Sequence, residues 1–380
     1  GGAIQHPSLD AQKVEEWKDD WIIQPVNGYG EREQLRGLIQ QIRPDIVWFM
    51  TDPRFYEWLW KMEKEIRPYA PLVYYHVWDN IPLPHYNAPW YESTDVICSI
   101  SKVTHNVVTG VSPQVESYYV PHAVNPLFFN NMKNTPEGRS EIARVRRDNN
   151  IEDGRFVFFW NNRNARRKMS GSLVYWYSQF LEKVGYDKTL LLMHTAPRDP
   201  HGQPLDELQR HFNIPPECMK IHDKKVPRQH LNYLYNMADC TINVADAEGF
   251  GLATLESLAT GTPIIVSMTG GLQEQVTDGK EWFGIGIEPA AKAIIGSQST
   301  PFIFEDRVSG KDVIKAMEDM VNMPKDQYDI LASLGEQHVQ KNYNFDVFEK
   351  QWVDIMNSVH QKYGSWETRK NYNHWETITL

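Results

Sequence analysis

The sequence is poor in cysteine, has no long apolar run and carries a deficit of positive charge. Its three cysteines, Cys98, Cys218 and Cys240, stand too far apart for a metal-binding pattern. We expect them to be reduced and buried, which favours a cytoplasmic protein. No apolar run reaches transmembrane length, and no signal peptide is visible.

The charge balance also restricts the partners. Lysine and arginine number 39 against 49 aspartates and glutamates, a formal net charge of −10. This disfavours a nucleic-acid partner, although a DNA-modifying transferase is not excluded. A length of 380 residues without internal repeats predicts two or three domains.

Residues 238–276 have the pattern strand, loop, helix, strand, loop and helix. Residues 241–244 form a short apolar run that favours a strand, and a loop with two glycines, residues 246–251, comes next. Apolar residues at helical spacing occupy 252–259, and residues 264–266 form a second apolar strand. This order predicts a βαβ unit in a buried parallel sheet.

Two glutamates of this unit, Glu248 and Glu256, stand eight positions apart, one in the loop and one in the helix. The N–H groups of residues 249–251 are unpaired donors at the positive end of a helix dipole, so they suit a phosphate. A carboxylate nearby can accept hydrogen bonds from a ribose diol. The other could stabilise positive charge on a sugar ring as its leaving group departs. The alternative is two ordinary glutamates in an ordinary βαβ unit.

The segment EGFGLATLE at 248–256, followed by ATGTPIIV and TGG, resembles the glutamate-x7-glutamate signature of family 4 retaining glycosyltransferases, which have the GT-B fold. The resemblance implies two Rossmann-like, doubly wound domains that face a cleft. It also implies that Glu248 lies against the donor sugar and that Glu256 binds the nucleotide ribose. The other donor-binding residues of this segment are then Gly249, Phe250, Gly251 and Leu252.

A basic loop at 163–168 follows the apolar strand predicted at 156–160. Four of its six residues are cations, which either form a solvated loop or clamp a diphosphate. The resemblance implies the clamp, because the family has an Arg and a Lys five positions apart here, and Arg163 and Lys168 keep that spacing. Arg166 either assists them or is exposed. The sequence has no Asp-x-Asp pair for a metal, so we expect catalysis without a metal.

A predicted strand at 72–75 brings His76 to its carboxyl end, which faces the ligand crevice in open α/β sheets. The resemblance implies a histidine near the donor sugar after this strand, and His76 is our candidate for it. Asp79 is a secondary candidate. The alternative is that His76 is a hydrogen-bonded histidine of the core.

We expect an acceptor-side domain over residues 1–140 and a nucleotide-sugar-binding domain over 141–345. A helix and tail, 346–380, should cross back to the first domain. The family usually begins with a strand and a glycine-rich loop, so its first β-unit is either missing or lies upstream. An aromatic stripe at 55–66 either packs in the core or contacts a membrane surface.

The predicted function is the retaining, metal-independent transfer of a hexose to an acceptor hydroxyl on a glycan, lipid or protein. The partners are a nucleotide-sugar donor, UDP- or GDP-linked, and a carbohydrate or glycoconjugate acceptor, with no bound cofactor and no nucleic acid. Two alternatives stay open. One is a catalytically silent protein that binds nucleotide sugars, and the other is a nucleotide-sugar epimerase, whose additional acid/base residues we do not find.

Overall fold

The computed structural model describes residues 26 and 28–372, together with the backbone of two short strands near the start of the chain. These strands, β1 (Gln12–Lys13) and β2 (Ile22–Ile23), pair antiparallel. The predicted loss of the first β-unit concerns residues outside this description and stays a prediction. None of the described helices is both long and apolar enough to span a membrane.

The first unit of the fold, residues 28–119, contains a parallel four-stranded sheet. Its strands lie in the order in which they follow in the chain, and the inner two are buried along their whole length because helices cover the sheet. The strands are β3 (Val47–Thr51), β4 (Leu72–His76), β5 (Val96–Ser99) and β6 (Glu116–Tyr119). The helices are α1 (Arg32–Ile42), α2 (Pro53–Trp60), α3 (Glu63–Ile66), α4 (Ala88–Glu92) and α5 (Lys102–Val111).

The second unit, residues 136–342, contains a parallel sheet of six strands in the order β12-β11-β10-β7-β8-β9. The strands are β7 (Phe156–Asn161), β8 (Thr189–His194), β9 (Met219–His222), β10 (Cys240–Asn243), β11 (Ile264–Ser267) and β12 (Gly284–Ile287). Its helices are α6 (Pro136–Asp148), α7 (Ser170–Val184), α8 (Leu205–His211), α9 (Arg228–Met237), α10 (Leu252–Ala259), α11 (Leu272–Val276), α12 (Gly310–Val321) and α13 (Lys325–Asn342). Two parallel α/β sheets confirm the predicted fold class.

The chain crosses between the two units twice, along neighbouring paths. Val124 donates its N–H to the carbonyl of Tyr343 at 2.9 Å, and α14 (Phe345–Tyr363) then returns to the first unit. There, Gln351 donates to the carbonyl of Tyr119 at 2.7 Å. The predicted domain limit at residue 140 falls inside α6, which binds the second unit through Arg146.

The stripe at 55–66 is divided between α2 and α3. Leu59, Met62 and Ile66 are buried in the core of the first unit, whereas Phe55 is exposed and stacks on Tyr29 at 4.4 Å. The core alternative therefore accounts for most of the stripe.

Residues 278–310 contain, besides β12, an antiparallel hairpin that lies outside both parallel sheets. Its strands are β13 (Ala291–Ile294) and β14 (Phe304–Arg307). Its strands are half exposed and mix charged with apolar residues, so no sustained alternation marks them in the sequence.

Candidate active site

The strand order determines where a ligand can bind. β7 and β10 are neighbours at the centre of the six-stranded sheet, and the strand order reverses between them. In open α/β sheets the ligand crevice lies outside the carboxyl ends of the strands at such a reversal. The loops after these two strands, residues 162–169 and 244–251, therefore meet at one edge of the sheet.

The glycines of the EGFG and TGG segments allow two loops to pack backbone against backbone. Gly271 donates its N–H to the carbonyl of Glu248 at 3.0 Å, and a Cβ at Gly271 would lie 2.6 Å from the Cα of Phe250. Gly251 has a left-handed φ of +96° and begins α10. Side chains at these positions would separate the loops or strain the turn. The glycines therefore hold Glu248 at the edge of the sheet.

The basic loop directs successive cations to different partners. Residues 166–168 form a turn of 3₁₀-helix, in which neighbouring side chains point about 120° apart because each turn takes about 3 residues. Arg166 binds Glu305 at 2.8 and 2.5 Å, Arg167 donates to the carbonyl of Ala247 at 2.7 Å, and Lys168 binds Glu248. Arg167 and Lys168 thus join the loop after β7 to the loop after β10.

Lys168 and Glu248 form a buried ion pair, and each side chain is 10% exposed. Burial by itself raises the pKa of Glu248, but the Lys168 and Arg167 charges lower it more, so the net pKa lies below its ordinary value. Asn243 also donates to this carboxylate at 3.4 Å. Glu248 is therefore held as an anion at the edge of the sheet.

The side chain of Arg163 points away from that of Lys168 and binds a different partner. Its side chain is 63% exposed and forms a two-pronged ion pair with Asp199, at 2.8 and 3.2 Å. Between the two cations, the buried Asn164 donates to the carbonyls of Ala196 and Pro197 at 3.3 Å. This side of the loop faces the segment after β8, so the spacing of five positions does not bring the two cations together.

Asp79 brings a carboxylate of the first unit into the same site. Burial raises its pKa to about 6, and the charges of Arg167, Glu248 and Lys168 also affect this pKa. The backbone agrees with this placement, since a Cβ at Gly249 would lie 3.2 Å from the carbonyl oxygen of Val77. The loop after β4 therefore lies against the EGFG loop across the cleft.

His76 occupies a different environment from the one implied by the resemblance. It is fully buried, and its ring nitrogens bind the hydroxyls of Tyr74 at 2.7 Å and Tyr91 at 2.6 Å. Burial lowers the pKa of His76 to about 3. Because both nitrogens have partners inside the core, its position does not support contact with a donor sugar, and Asp79 is the residue of this loop that faces the cleft.

Glu256 lies on the other side of the start of α10. It accepts a hydrogen bond from the hydroxyl of Tyr235 at 2.7 Å, and that hydroxyl accepts one from Asn161 at 2.8 Å. Burial raises the pKa of Glu256 to about 7. Asn161 is the last residue of β7, so this hydrogen-bonded chain places Glu256 beside the crevice.

The start of α10 offers backbone rather than side-chain contacts. Phe250 is 3% exposed and its ring lies edge-on to His122 at 5.2 Å, so its side chain is an anchor in the core. Gly251, which precedes the helix, has no side chain with which to cap it. Leu252 is exposed. The first N–H groups of the helix therefore suit an anion.

Sequence reasoning did not single out three residues of this site. Asn161 and Tyr235, which orient Glu256, carry no local signal, because they belong to a strand and to a helix brought together only by folding. Arg167 is one of four cations within six residues. Its contact with the loop after β10 depends on the 3₁₀ turn, which the sequence does not reveal.

Two parallel α/β sheets that face a cleft, with cations and a helix start at one edge of it, are the architecture of the GT-B fold. Residues 210–325 match the family described as glycosyl transferases group 1. The match is confined to this segment, which contains residues 248–276, and it agrees with the resemblance seen there. The individual roles of Glu248 and Glu256 stay predictions.

Known proteins show the same resemblance. A D-inositol 3-phosphate glycosyltransferase of Corynebacterium urealyticum is 39% identical over 71 residues, which is 18% of this chain and 17% of that protein. The chain therefore matches under a fifth of the length of this curated relative.

Solved structures extend the similarity in fold to most of the chain. A sucrose-phosphate synthase from Thermosynechococcus elongatus superposes with a TM-score of 0.67 at 16% identity, over 87% of this chain and 77% of that one. The Anabaena protein Alr3699/HepE, solved in complex with UDP-glucose, superposes with a TM-score of 0.65 at 13% identity, over 88% and 86%.

Proposed function

We propose that this protein is a retaining glycosyltransferase that moves a hexose from a nucleotide diphosphate sugar to an acceptor hydroxyl without a metal ion. One observation carries the proposal. Lys168 and Glu248, from loops after two neighbouring strands, meet at the start of α10 and face Asp79 of the first unit. Cations, a helix start and carboxylates thus converge from two sheets on one cleft.

The diphosphate would lie between the start of α10 and the basic loop. The helix N–H groups and the cations Lys168 and Arg167 would stabilise the charge that develops on the leaving diphosphate. Arg163 could join this group only if it left Asp199. These fixed charges supply the electrostatic stabilisation that a metal gives in other transferases, and on this basis we propose catalysis without one.

The two glutamates would have separate tasks. Glu256 would accept hydrogen bonds from the ribose diol, beside Tyr235. Glu248, held as an anion by Lys168, would stabilise positive charge at the anomeric carbon or bind a sugar hydroxyl. In the transfer, the bond from the anomeric carbon to the diphosphate oxygen breaks and a bond to the acceptor oxygen forms on the same face. The acceptor hydroxyl would give its proton to the departing diphosphate oxygen.

The fold similarity to the protein solved with UDP-glucose makes a uridine nucleotide the first donor to test. The proposed partners are this nucleotide sugar and a carbohydrate or glycoconjugate acceptor. The two alternative functions would use the same cleft. A catalytically silent protein would bind the nucleotide sugar through the phosphate contacts but would not turn it over. An epimerase would act on the nucleotide sugar without a second acceptor.

A thermal-shift series with UDP, GDP, ADP and dTDP, followed by donor-cleavage assays, distinguishes these functions. A ligand that binds only the folded state stabilises it by about 2.7 kcal/mol at 100 times its dissociation constant. We expect one nucleotide to raise the melting temperature and its sugar conjugate to be consumed with an acceptor. A shift without turnover would indicate the silent protein, and no shift with any nucleotide would refute the proposal.

The metal prediction is tested with the same donor. We expect the rate to stay unchanged in EDTA, because the charges at the diphosphate come from Lys168, Arg167 and a helix start. Loss of turnover in EDTA that Mn²⁺ restores would contradict it.

A further inference from the structure

The hairpin β13–β14 is fastened to both loops of the donor edge. Glu305 binds Arg166 of the basic loop. Arg307 pairs with Asp246, and the N–H of Asp306 donates to the Asp246 carbonyl at 2.9 Å. Asp246 and Arg166 stand two positions before Glu248 and Lys168. The hairpin is therefore held in place by the loops that carry the proposed donor site.

The same hairpin also reaches the first unit. Asn80 donates from its side-chain amide to the carbonyl of Phe304 at 2.8 Å. Phe304 also lines a cavity of about 260 Å³ whose walls come from both units. One wall is formed by Asp79, Ile81 and Leu83 of the loop after β4 and by α5. The opposite wall is formed by the hairpin.

The cavity adjoins the place proposed for the donor sugar. Asp79 lines it and also senses the charges of Glu248 and Lys168. Gly270, whose loop packs on the EGFG loop, lines it as well. A molecule in this cavity would thus lie beside the sugar and on the side of the first unit.

The lining combines apolar surface with groups that bind hydroxyls. Ile81, Leu83 and Phe304 supply apolar surface, and Gln273 supplies an amide. Among the lining residues, two carboxylates, Asp79 and Asp306, face one ammonium, Lys292, which lies 3.7 Å from Asp306. The formal net charge of these three lining residues is −1. An anionic group placed here would meet two like charges and one cation that already has a partner.

We propose that this cavity is the acceptor subsite and that the hairpin makes it specific for an uncharged, hydroxyl-bearing acceptor, excluding a phosphorylated one. The proposal rests on the proposed function, since it needs a donor in the neighbouring site. Carboxylates accept hydrogen bonds from sugar hydroxyls, amides both accept and donate them, and apolar side chains pack on the C–H faces of the ring. Asp306 is the specificity-determining residue that the hairpin contributes.

Matched acceptor pairs test this proposal with the full chain and the donor identified by thermal shift. Transfer to glucose, mannose and myo-inositol is compared with transfer to glucose 6-phosphate, mannose 6-phosphate and inositol 3-phosphate. The comparison uses the acceptor pair that supports the fastest transfer. For that pair we expect kcat/KM to be at least about tenfold higher with the uncharged member, because the phosphate adds an unfavourable contact between like charges. A preference for phosphorylated acceptors would overturn the proposal and leave the donor function intact.

The variant Asp306→Lys reverses the charge that the hairpin presents, and Asp306→Asn removes it. We expect the preference for uncharged acceptors to fall in Asp306→Asn and to fall further in Asp306→Lys, while the KM for the donor stays unchanged. Asp319→Lys, on an exposed face of α12, is the matched control. An unchanged preference in both Asp306 variants, with normal melting temperatures, would refute the role of the hairpin. Absence of all donor cleavage would instead refute the proposed function.

Discussion

The two glutamates on either side of the α10 start have opposite electrostatic environments. Glu248 is buried against Lys168, and the pKa of its carboxyl lies below the ordinary value. Glu256 has a tyrosine hydroxyl as its partner, and burial raises its pKa to about 7. Two residues of one motif, eight positions apart, are therefore held in different protonation states near neutral pH.

The difference follows from what the rest of the chain brings to each carboxylate. The loop after β7 supplies cations to Glu248, whereas α9 supplies a phenol to Glu256. An anion fixed beside cations suits a place where charge develops during the reaction. A carboxyl that titrates near pH 7 suits reversible hydrogen bonding to a ligand. Substitutions that change one of the two environments at a time test this division.

Lys168→Ala should reduce kcat by about 10²–10³-fold, as removal of an oxyanion donor does. It should also lower the free energy of unfolding by about 3–5 kcal/mol, because Glu248 would be left buried without a partner. Initial rates and thermal melts measure the two effects. A normal rate in this variant would remove Lys168 from the mechanism.

The double variant Lys168→Met with Glu248→Gln separates stability from catalysis. Replacing both partners of a buried ion pair removes the unpaired charge, so most of the stability should return. Activity should not return with it. Lys183→Ala, which removes an exposed lysine of α7 that pairs with Glu318, is the control for a charge lost elsewhere. Recovery of activity in the double variant would show that the pair serves only the fold.

Glu256→Gln should weaken binding of UDP-glucose about tenfold at pH 8, because a hydrogen bond to a charged group contributes about 1.5–3 kcal/mol. The effect should shrink at pH 6, where the native carboxyl is protonated. Calorimetric titrations at pH 6, 7 and 8 measure this. UDP-glucose is the suitable ligand because its phosphates do not titrate in this range. A pH dependence that persists in Glu256→Gln would assign it to another group.

The same carboxyl should affect stability with a defined sign. Its pKa is about 7 in the folded protein against an ordinary value of 4.5, so the folded state binds the proton more tightly. Its contribution to stability is present below pH 4.5 and is lost as the pH rises through 7. The melting temperature of Glu256→Gln relative to the native protein should therefore increase from pH 5 to pH 8. A constant difference would mean that Glu256 is ionised throughout.

The smallest effect is expected for Arg163→Ala. Arg163 forms an exposed ion pair with Asp199, and exposed pairs contribute little, so kcat/KM should change less than about threefold. Arg167→Ala should cost more, since its guanidinium binds the loop that carries Glu248. Steady-state kinetics of the two variants side by side decide which arginine belongs with Lys168. A larger loss in Arg163→Ala would restore the clamp expected from the spacing.

The sequence by itself predicted the strands at 72–75, 156–160, 241–244 and 264–266, the βαβ unit at 238–276 and the resemblance to a glycosyltransferase family. Buried parallel strands are continuous apolar runs, and glycines mark turns in which backbones must approach closely, so both signals are local. Gly271 is an example, because a Cβ at this position would collide with the backbone of Phe250.

Only the tertiary structure decided which side chains meet. The 3₁₀ turn sends Arg166, Arg167 and Lys168 to three partners, two phenols enclose His76, and Asp79 faces the cleft instead. The hairpin at 291–307 also became visible only in three dimensions. The direction of a side chain depends on packing against segments that are distant in the sequence. Residue spacing within one segment does not show which distant segments those are.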